Sequence, residues 1–169
     1  MKILPIIKEK NGYSYDGFKY DSKEEIYFKW FLDDILSKHH GYIKRIDYNE
    51  DPFYLSEKTK ILREHKYTPD FLVEWYDQNE LTIDYSEDLR PKDIKNKIVI
   101  NWVKASYIEI KGGYSIYNNH REFAINQKWV LAQRNIYVQK IEIPKFFKTT
   151  FMPERYLLTD SGKRSRKVK

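Results

Sequence analysis

Two short stretches decide how the chain reads: His65-Lys-Tyr-Thr-Pro-Asp-Phe71, which leads into a β-prone run over 67–76, and Tyr107-Ile-Glu-Ile-Lys-Gly112, which closes another over 103–111. Alternate side chains on a strand share a face, so Glu109 and Lys111 point one way while Ile110 turns into the core. If the two strands are neighbours, Asp70 and Glu109 converge. Two carboxylates a few Å apart repel unless a cation lies between them, and hard oxygen ligands of this kind suit Mg²⁺ or Mn²⁺. The Lys111 ammonium would hold or activate an attacking water and neutralise phosphate charge. Pro-Asp and Glu-x-Lys are short motifs, and the alternative is a turn-forming Pro-Asp beside an exposed strand pair with a cross-strand salt bridge.

Context around the pair tells between these readings. Upstream, Tyr13 to Lys19 forms a hairpin pattern around Asp16-Gly17, a dipeptide that tolerates positive φ. A helix over about 22–39 follows, signalled by Asp21 and Ser22 as caps and by Phe28, Phe31, Leu32, Ile35 and Leu36 at helical spacing, with Gly41 ending it. Short β-prone runs cover 42–48, 53–55, 61–62 and 67–76 and suggest a meander. The charged, irregular segment over about 77–103 reads as an insertion that lengthens a hairpin. A second amphipathic helix is expected over about 119–134, with Phe123, Gln127, Val130 and Leu131 on one stripe, and a last strand over 136–143. Beyond Pro144 the pattern fades, apart from a short helix near 153–158. The expected organisation is one α/β domain over 1–160 and a mobile basic tail over 161–169.

Composition bounds the function. The 169 residues are 41% hydrophobic and 17% aromatic, enough for a packed core. No cysteine is present, which excludes disulfides, thiolate metal sites and cysteine nucleophiles. The longest apolar stretches fall far short of the roughly 20 residues of a membrane span, so no membrane partner is expected. The N-terminus lacks a secretory h-region, so a cytoplasmic location is expected. The 31 Lys and Arg outnumber the 25 Asp and Glu for a net charge of +6, which points to a polyanionic partner. Five of those cations, Lys163, Arg164, Arg166, Lys167 and Lys169, sit in the tail. Residues 1–162 therefore hold 26 basic against 25 acidic residues, a net +1.

The motif pair on successive strands, after one helix and before another helix and strand, resembles the PD-(D/E)XK nuclease superfamily over roughly 20–143. The string from His65 to Phe71 with Tyr107 to Gly112 is similar to phage endonuclease I, a Holliday-junction resolvase. The same strings, with Pro52-Phe-Tyr-Leu-Ser56 and Asn126-Gln-Lys-Trp129, are also similar to the nuclease that completes phage heads. The resemblance implies a restriction-endonuclease-like core of helix, meander, helix and strand around a mixed sheet. It implies a Mg²⁺-dependent endodeoxyribonuclease of phage or mobile-element origin, with Mn²⁺ as substitute. It makes Asp70 and Glu109 metal ligands, adds the backbone carbonyl of Ile110, and assigns Lys111 to the attacking water. Many members add an acid on the first helix, where Ser22-Lys-Glu-Glu25 stands, and the spacing favours Glu25 over Glu24.

Other residues carry two readings each. Ser22-x-x-Glu25 is also a capping box, as is Asp21-x-x-Glu24, so either Glu can serve backbone donors instead of a metal. Gln127 falls on the apolar stripe and would need a partner, either a water or phosphate at the site or a backbone group. Trp129 is expected in the core. The histidines fit no zinc spacing. His120, Arg121 and Lys128 are candidate phosphate contacts, as are Lys163, Arg164, Arg166 and Lys167 of the tail. A resolvase would work as a homodimer on branched DNA, whereas a head-completion nuclease would meet DNA ends beside packaging or virion components. A non-catalytic DNA-binding or assembly module of the same fold is the alternative.

Overall fold

A computed structural model gives the fold and describes residues 3–112 and 119–165, without the side chains of Asn119 and His120. The chain begins with three short strands, β1 (Ile7–Lys8), β2 (Tyr13–Tyr15) and β3 (Phe18–Tyr20), joined in an antiparallel sheet. The β2–β3 turn has Asp16 at φ 50° and Gly17 at φ 79°, the left-handed pair that the Asp-Gly dipeptide supplies. Helix α1 (Lys23–Lys38) starts at Ser22, whose Oγ accepts the Glu25 N–H at 3.3 Å. Its Phe28, Phe31, Leu32 and Ile35 are fully buried, and Phe31 stacks on Phe147 and Phe151.

The central element is an open, mixed four-stranded sheet in the order β11-β10-β7-β4. It comprises β4 (Ile43–Tyr48), β7 (Phe71–Trp75), β10 (Ala105–Lys111) and β11 (Val138–Glu142). β7 pairs antiparallel with both β4 and β10, and β11 runs parallel to β10. The pleat sorts the side chains: Phe71, Val73, Trp75, Ile108 and Ile110 join the core beneath α1. Helix α2 (Asn119–Arg134) covers the opposite face, where Phe123 and Val130 pack with Val138, Tyr107 and the hairpin formed by β5 (Phe53–Ser56) and β6 (His65–Tyr67). The chain is thus mixed α/β.

Four differences from the sequence reading have physical causes. The run over 67–76 is two strands in different sheets, broken at Thr68-Pro69-Asp70, where proline removes a ladder donor. Residues 61–62 are not a strand but the tip of the β5–β6 hairpin, turned by Thr59, whose N–H donates to the Leu62 carbonyl at 2.9 Å. The strand expected over 136–143 stops at Glu142, and Ile143 opens α3 (Ile143–Thr149) with proline in its first turn. In the expected tail, Ser165 N–H donates to the Leu157 carbonyl at 2.8 Å, just after the 3₁₀ turn Arg155–Leu157, and Thr159 N–H donates to the Lys163 carbonyl at 2.7 Å. Residues 161–165 are therefore attached to the body. Arg166, Lys167 and Lys169 lie outside the described residues.

The insertion between β7 and β10 holds a parallel pair, β8 (Thr82–Asp84) and β9 (Ile98–Ile100). Gln139 of β11 fastens it, accepting the Val99 N–H at 2.9 Å and donating to the Lys97 carbonyl at 2.9 Å. Asn101 adds bonds to Ala105 and Tyr137 backbone groups.

Candidate acidic site at one end of the central sheet

Register brings the two motifs together. β7 and β10 end their pairing at Ile108↔Phe71, and one further step of the antiparallel register sets Glu109 opposite Asp70. The backbone closes the contact, since Ile110 N–H donates to Asp70 Oδ2 at 2.6 Å. On its other side Asp70 is fixed by its own carbonyl, which accepts the Asn49 N–H at 2.9 Å just beyond β4. The Pro69-Asp70 break thus leaves Asp70 at the mouth of the sheet, held by backbone from both neighbouring strands.

The electrostatics are those of crowded acids. Burial, then the charges of Glu109 and Glu25, push the Asp70 carboxyl up to about 8, against the opposing pull of the Ile110 N–H and Lys111. Glu109 is buried, and Tyr67 donates its hydroxyl to Glu109 Oε2 at 2.7 Å. Lys111 Nζ lies 2.6 Å from Glu109 Oε1 and 5.9 Å from the centre of the Phe123 ring. As the strand alternation requires, Glu109 and Lys111 share the face towards α2 and Ile110 enters the core on the other.

Glu25 is buried at the N-terminal end of α1 and already has protein partners. It accepts the Tyr48 hydroxyl at 2.5 Å, the Ser22 hydroxyl at 2.9 Å and the Asp21 N–H at 2.9 Å. Burial pushes its carboxyl up and these bonds oppose the shift. The capping interaction expected from Ser22-x-x-Glu25 is therefore made, while the same carboxylate stands near enough to Asp70 to raise it. Glu24 occupies a different place, with its side chain over Gly112, where an added Cβ would meet Glu24 Oε1 at 3.4 Å.

The second helix supplies less than the sequence suggests. Gln127 does not reach the acids: its Nε2 donates to the Val138 carbonyl at 2.6 Å. Arg121 and Lys128 are exposed, and the His120 side chain lies outside the described residues. The unexpected contributor is Asn126, which is buried with Oδ1 2.7 Å from His65 Nε2, while the His65 ring stacks on Trp129 at 5.2 Å. These contacts tie the hairpin that carries Tyr67 to α2. Sequence reasoning missed Tyr48, Tyr67 and Asn126. The last two belong to the motif strings, but the partner of each is more than 40 positions away in the chain.

Among the described residues no group of three or more His, Cys, Asp and Glu side chains is assembled to hold a metal ion. The donor set at Asp70 and Glu109 nevertheless fits a hard divalent cation. Half-buried Asp70 and buried Glu109 lie opposite each other on adjoining strands with one lysine for countercharge, and burial together with the neighbouring carboxylates raises the Asp70 carboxyl. No helix among the described residues is long and apolar enough to cross a membrane. Comparison with family models, curated proteins and solved structures finds no match.

Proposed function

We propose that the chain is a metal-dependent endodeoxyribonuclease with a PD-(D/E)XK core, of phage or mobile-element type. The observation that carries the reading is the Asp70–Ile110 hydrogen bond, which holds Asp70 beside Glu109 and Lys111 on the adjoining strand. Mg²⁺, or Mn²⁺ in its place, would be held by Asp70, Glu109 and the Ile110 carbonyl. It would supply Lewis-acid polarisation of the scissile phosphate and a bound water of lowered pKa. Glu25 or Glu24 would contribute from α1, Glu25 by exchanging one of its capping partners.

The protein's own groups then have distinct tasks. Lys111 leaves Glu109 to orient the attacking water and to balance charge on the phosphorane as it forms. Tyr67 keeps Glu109 aimed by its hydroxyl. Attack is in line, water adding to phosphorus as the bond to the leaving oxygen breaks, with no covalent enzyme intermediate.

Branched DNA and DNA ends at a packaging apparatus are the two substrate settings in view. A Mg²⁺-dependent cleavage assay over junction, flap and linear DNA, with Asp70→Ala and Lys111→Ala as controls, tests the reading. Cleavage is expected to vanish in both variants, and its retention in both would sink the assignment. A second reading, a non-catalytic DNA-binding or assembly module, is favoured by the full set of capping bonds on Glu25. Calorimetry without any Mg²⁺ or Mn²⁺ binding, together with no nicking, would select it.

A further inference from the structure

The β5–β6 hairpin ends in a feature that the acidic site leaves unexplained. Ile61 and Leu62 stand at its tip, 90% and 65% exposed, and Ile61 is the most exposed large apolar side chain among the described residues. The tip is an ordered turn. Thr59 Oγ1 accepts the N–H groups of Ile61 at 3.3 Å and Leu62 at 2.9 Å, and the Leu62 carbonyl accepts the Thr59 N–H. The base of the hairpin is clamped to α2: Leu55 is buried against it and accepts a 3.0 Å bond from Gln133 Nε2, and His65 is held by Asn126 and Trp129. Lys58, Lys60 and Arg63 flank the two aliphatic residues in sequence, inside Glu57 and Glu64; all three cations are exposed, and among the described residues none of them is in an ion pair. Lys66 by contrast is paired with Glu64 at 2.9 Å.

An isolated surface leucine needs no explanation. Two adjacent aliphatic side chains on a fixed turn, with three exposed cations within three positions of them in the chain, match what opens a DNA base step: an apolar wedge that enters the stack while cations hold the flanking phosphates. The tip is also coupled to the acids. Leu62 stands five positions before Tyr67, whose hydroxyl is on Glu109, a backbone reach of at most about 17 Å. That spans about five base steps at roughly 3.4 Å each.

We propose that the Ile61–Leu62 tip is a wedge that inserts into duplex DNA from the minor groove and unstacks a base step within about five steps of the phosphate at the acidic site. The inference rests on the nuclease reading for its substrate, and it names the substrate class: duplex DNA that yields at a step, favoured when a mismatch, nick or branch has already opened it. The cost of unstacking is offset by burial of the two side chains and is absent where the step is open from the start.

The test uses the full chain without divalent cation and a duplex with 2-aminopurine placed at successive positions. Binding is expected to raise the fluorescence severalfold at one position. The double variant Ile61→Ser/Leu62→Ser is expected to abolish that rise and weaken duplex binding about tenfold, while binding to the same duplex with a mismatch at that position changes less than about twofold. Lys58→Gln/Lys60→Gln/Arg63→Gln is expected to flatten the logarithmic salt slope by about 0.9 for each phosphate that is no longer neutralised. Unchanged fluorescence and affinity in the Ser variant would overturn the wedge. So would a DNA-free dimer that the Ser variant converts to monomer with fluorescence intact, since the tip would then be a contact between copies. Loss of the nuclease reading is scored separately: a wild-type protein that unstacks DNA but never cleaves with Mg²⁺ retains the wedge and rejects the enzyme.

Discussion

The two ends of β10 are built from opposite kinds of buried polarity. At the Ala105 end the buried polar side chains, Thr82, Asn101, Ser106 and Gln139, are neutral. Trp75 Nε1 donates to Ser106 Oγ at 2.9 Å, Ser106 donates on to the Val99 carbonyl at 2.6 Å, and Asn101 bonds the backbone of Ala105 and Tyr137. At the Lys111 end Asp70 and Glu109 stand on adjoining strands with Lys111 paired to Glu109, and burial, then the charges of Glu109 and Glu25, raise the Asp70 carboxyl. A network of neutral groups at full satisfaction stabilises a fold. An uncompensated cluster of acids weakens one, and a chain keeps it where the repulsion is relieved by something bound. The contrast separates the end that holds the insertion in place from the end to which the proposed chemistry is assigned.

The sharpest break in that contrast comes from neutralising single members of the acid end. Asp70→Asn or Lys111→Ala is expected to reduce Mg²⁺-dependent cleavage about 10³-fold or more, with the thermal midpoint unchanged or raised for Asp70→Asn. Single-turnover cleavage beside a melting curve checks both halves. A large fall in the melting point of Asp70→Asn would mean that Asp70 is structural, like the polar groups at the other end.

A pH titration without divalent cation reads the combined effect of burial and neighbouring carboxylates on Asp70. In an unfolded chain Asp70 ionises near 3.9, whereas in the folded protein burial and the charges of Glu109 and Glu25 push it up to about 8. Between those values the unfolded state releases the proton and the folded state keeps it, so stability is greatest below about pH 4 on this account and falls as pH rises to 8. The slope is at most about 1.4 kcal/mol per pH unit. Urea unfolding from pH 5 to 8 in chelator should show it, Asp70→Asn should flatten it, and Mg²⁺ should restore the lost stability. A flat wild-type profile would mean that burial and the neighbouring acids do not raise Asp70 in the folded protein.

The neutral end makes the converse prediction. Asn101→Ala leaves the Tyr137 N–H without its partner and is expected to cost about 2 kcal/mol of stability. Cleavage at a temperature where the variant is folded should be within about twofold of wild type. Loss of cleavage without loss of stability would show that the two ends are coupled.

These expectations divide along what the sequence makes legible. Asp70, Glu109 and Lys111 were readable because strand alternation fixes which of two neighbours faces out, and because both strands carried local signals. The split of 67–76 into two sheets was not, since the same β-prone residues serve β6 and β7 and only Pro69 marks the break. Helix α3 hid behind Pro144, which reads as a terminator yet is tolerated in a first helical turn. Tyr48, Asn101, Gln139 and Asn126 act through partners far along the chain, and no local periodicity encodes such pairs. Gln127 illustrates the reverse: a polar residue on an apolar stripe does need a partner, but the nearest was the Val138 carbonyl.

Glu25 is where the two kinds of polarity meet, so it gives the finest test of the boundary. It is a capping residue by its bonds to Ser22 and Asp21 and a member of the acid end by its effect on Asp70. Tyr48→Phe removes the 2.5 Å hydroxyl bond and nothing else on that carboxylate. The loss is expected to cost about 1 kcal/mol. If capping is the whole of Glu25's task, cleavage by Tyr48→Phe stays within about twofold of wild type at saturating Mg²⁺, because Ser22 and Asp21 still hold the side chain. If Glu25 exchanges a capping partner for the cation, the freed oxygen competes better for metal, and the Mg²⁺ concentration for half-maximal cleavage falls while the melting point drops. A lower half-maximal Mg²⁺ concentration together with the lower melting point assigns Glu25 to the acid end; a change in stability alone leaves it with the cap.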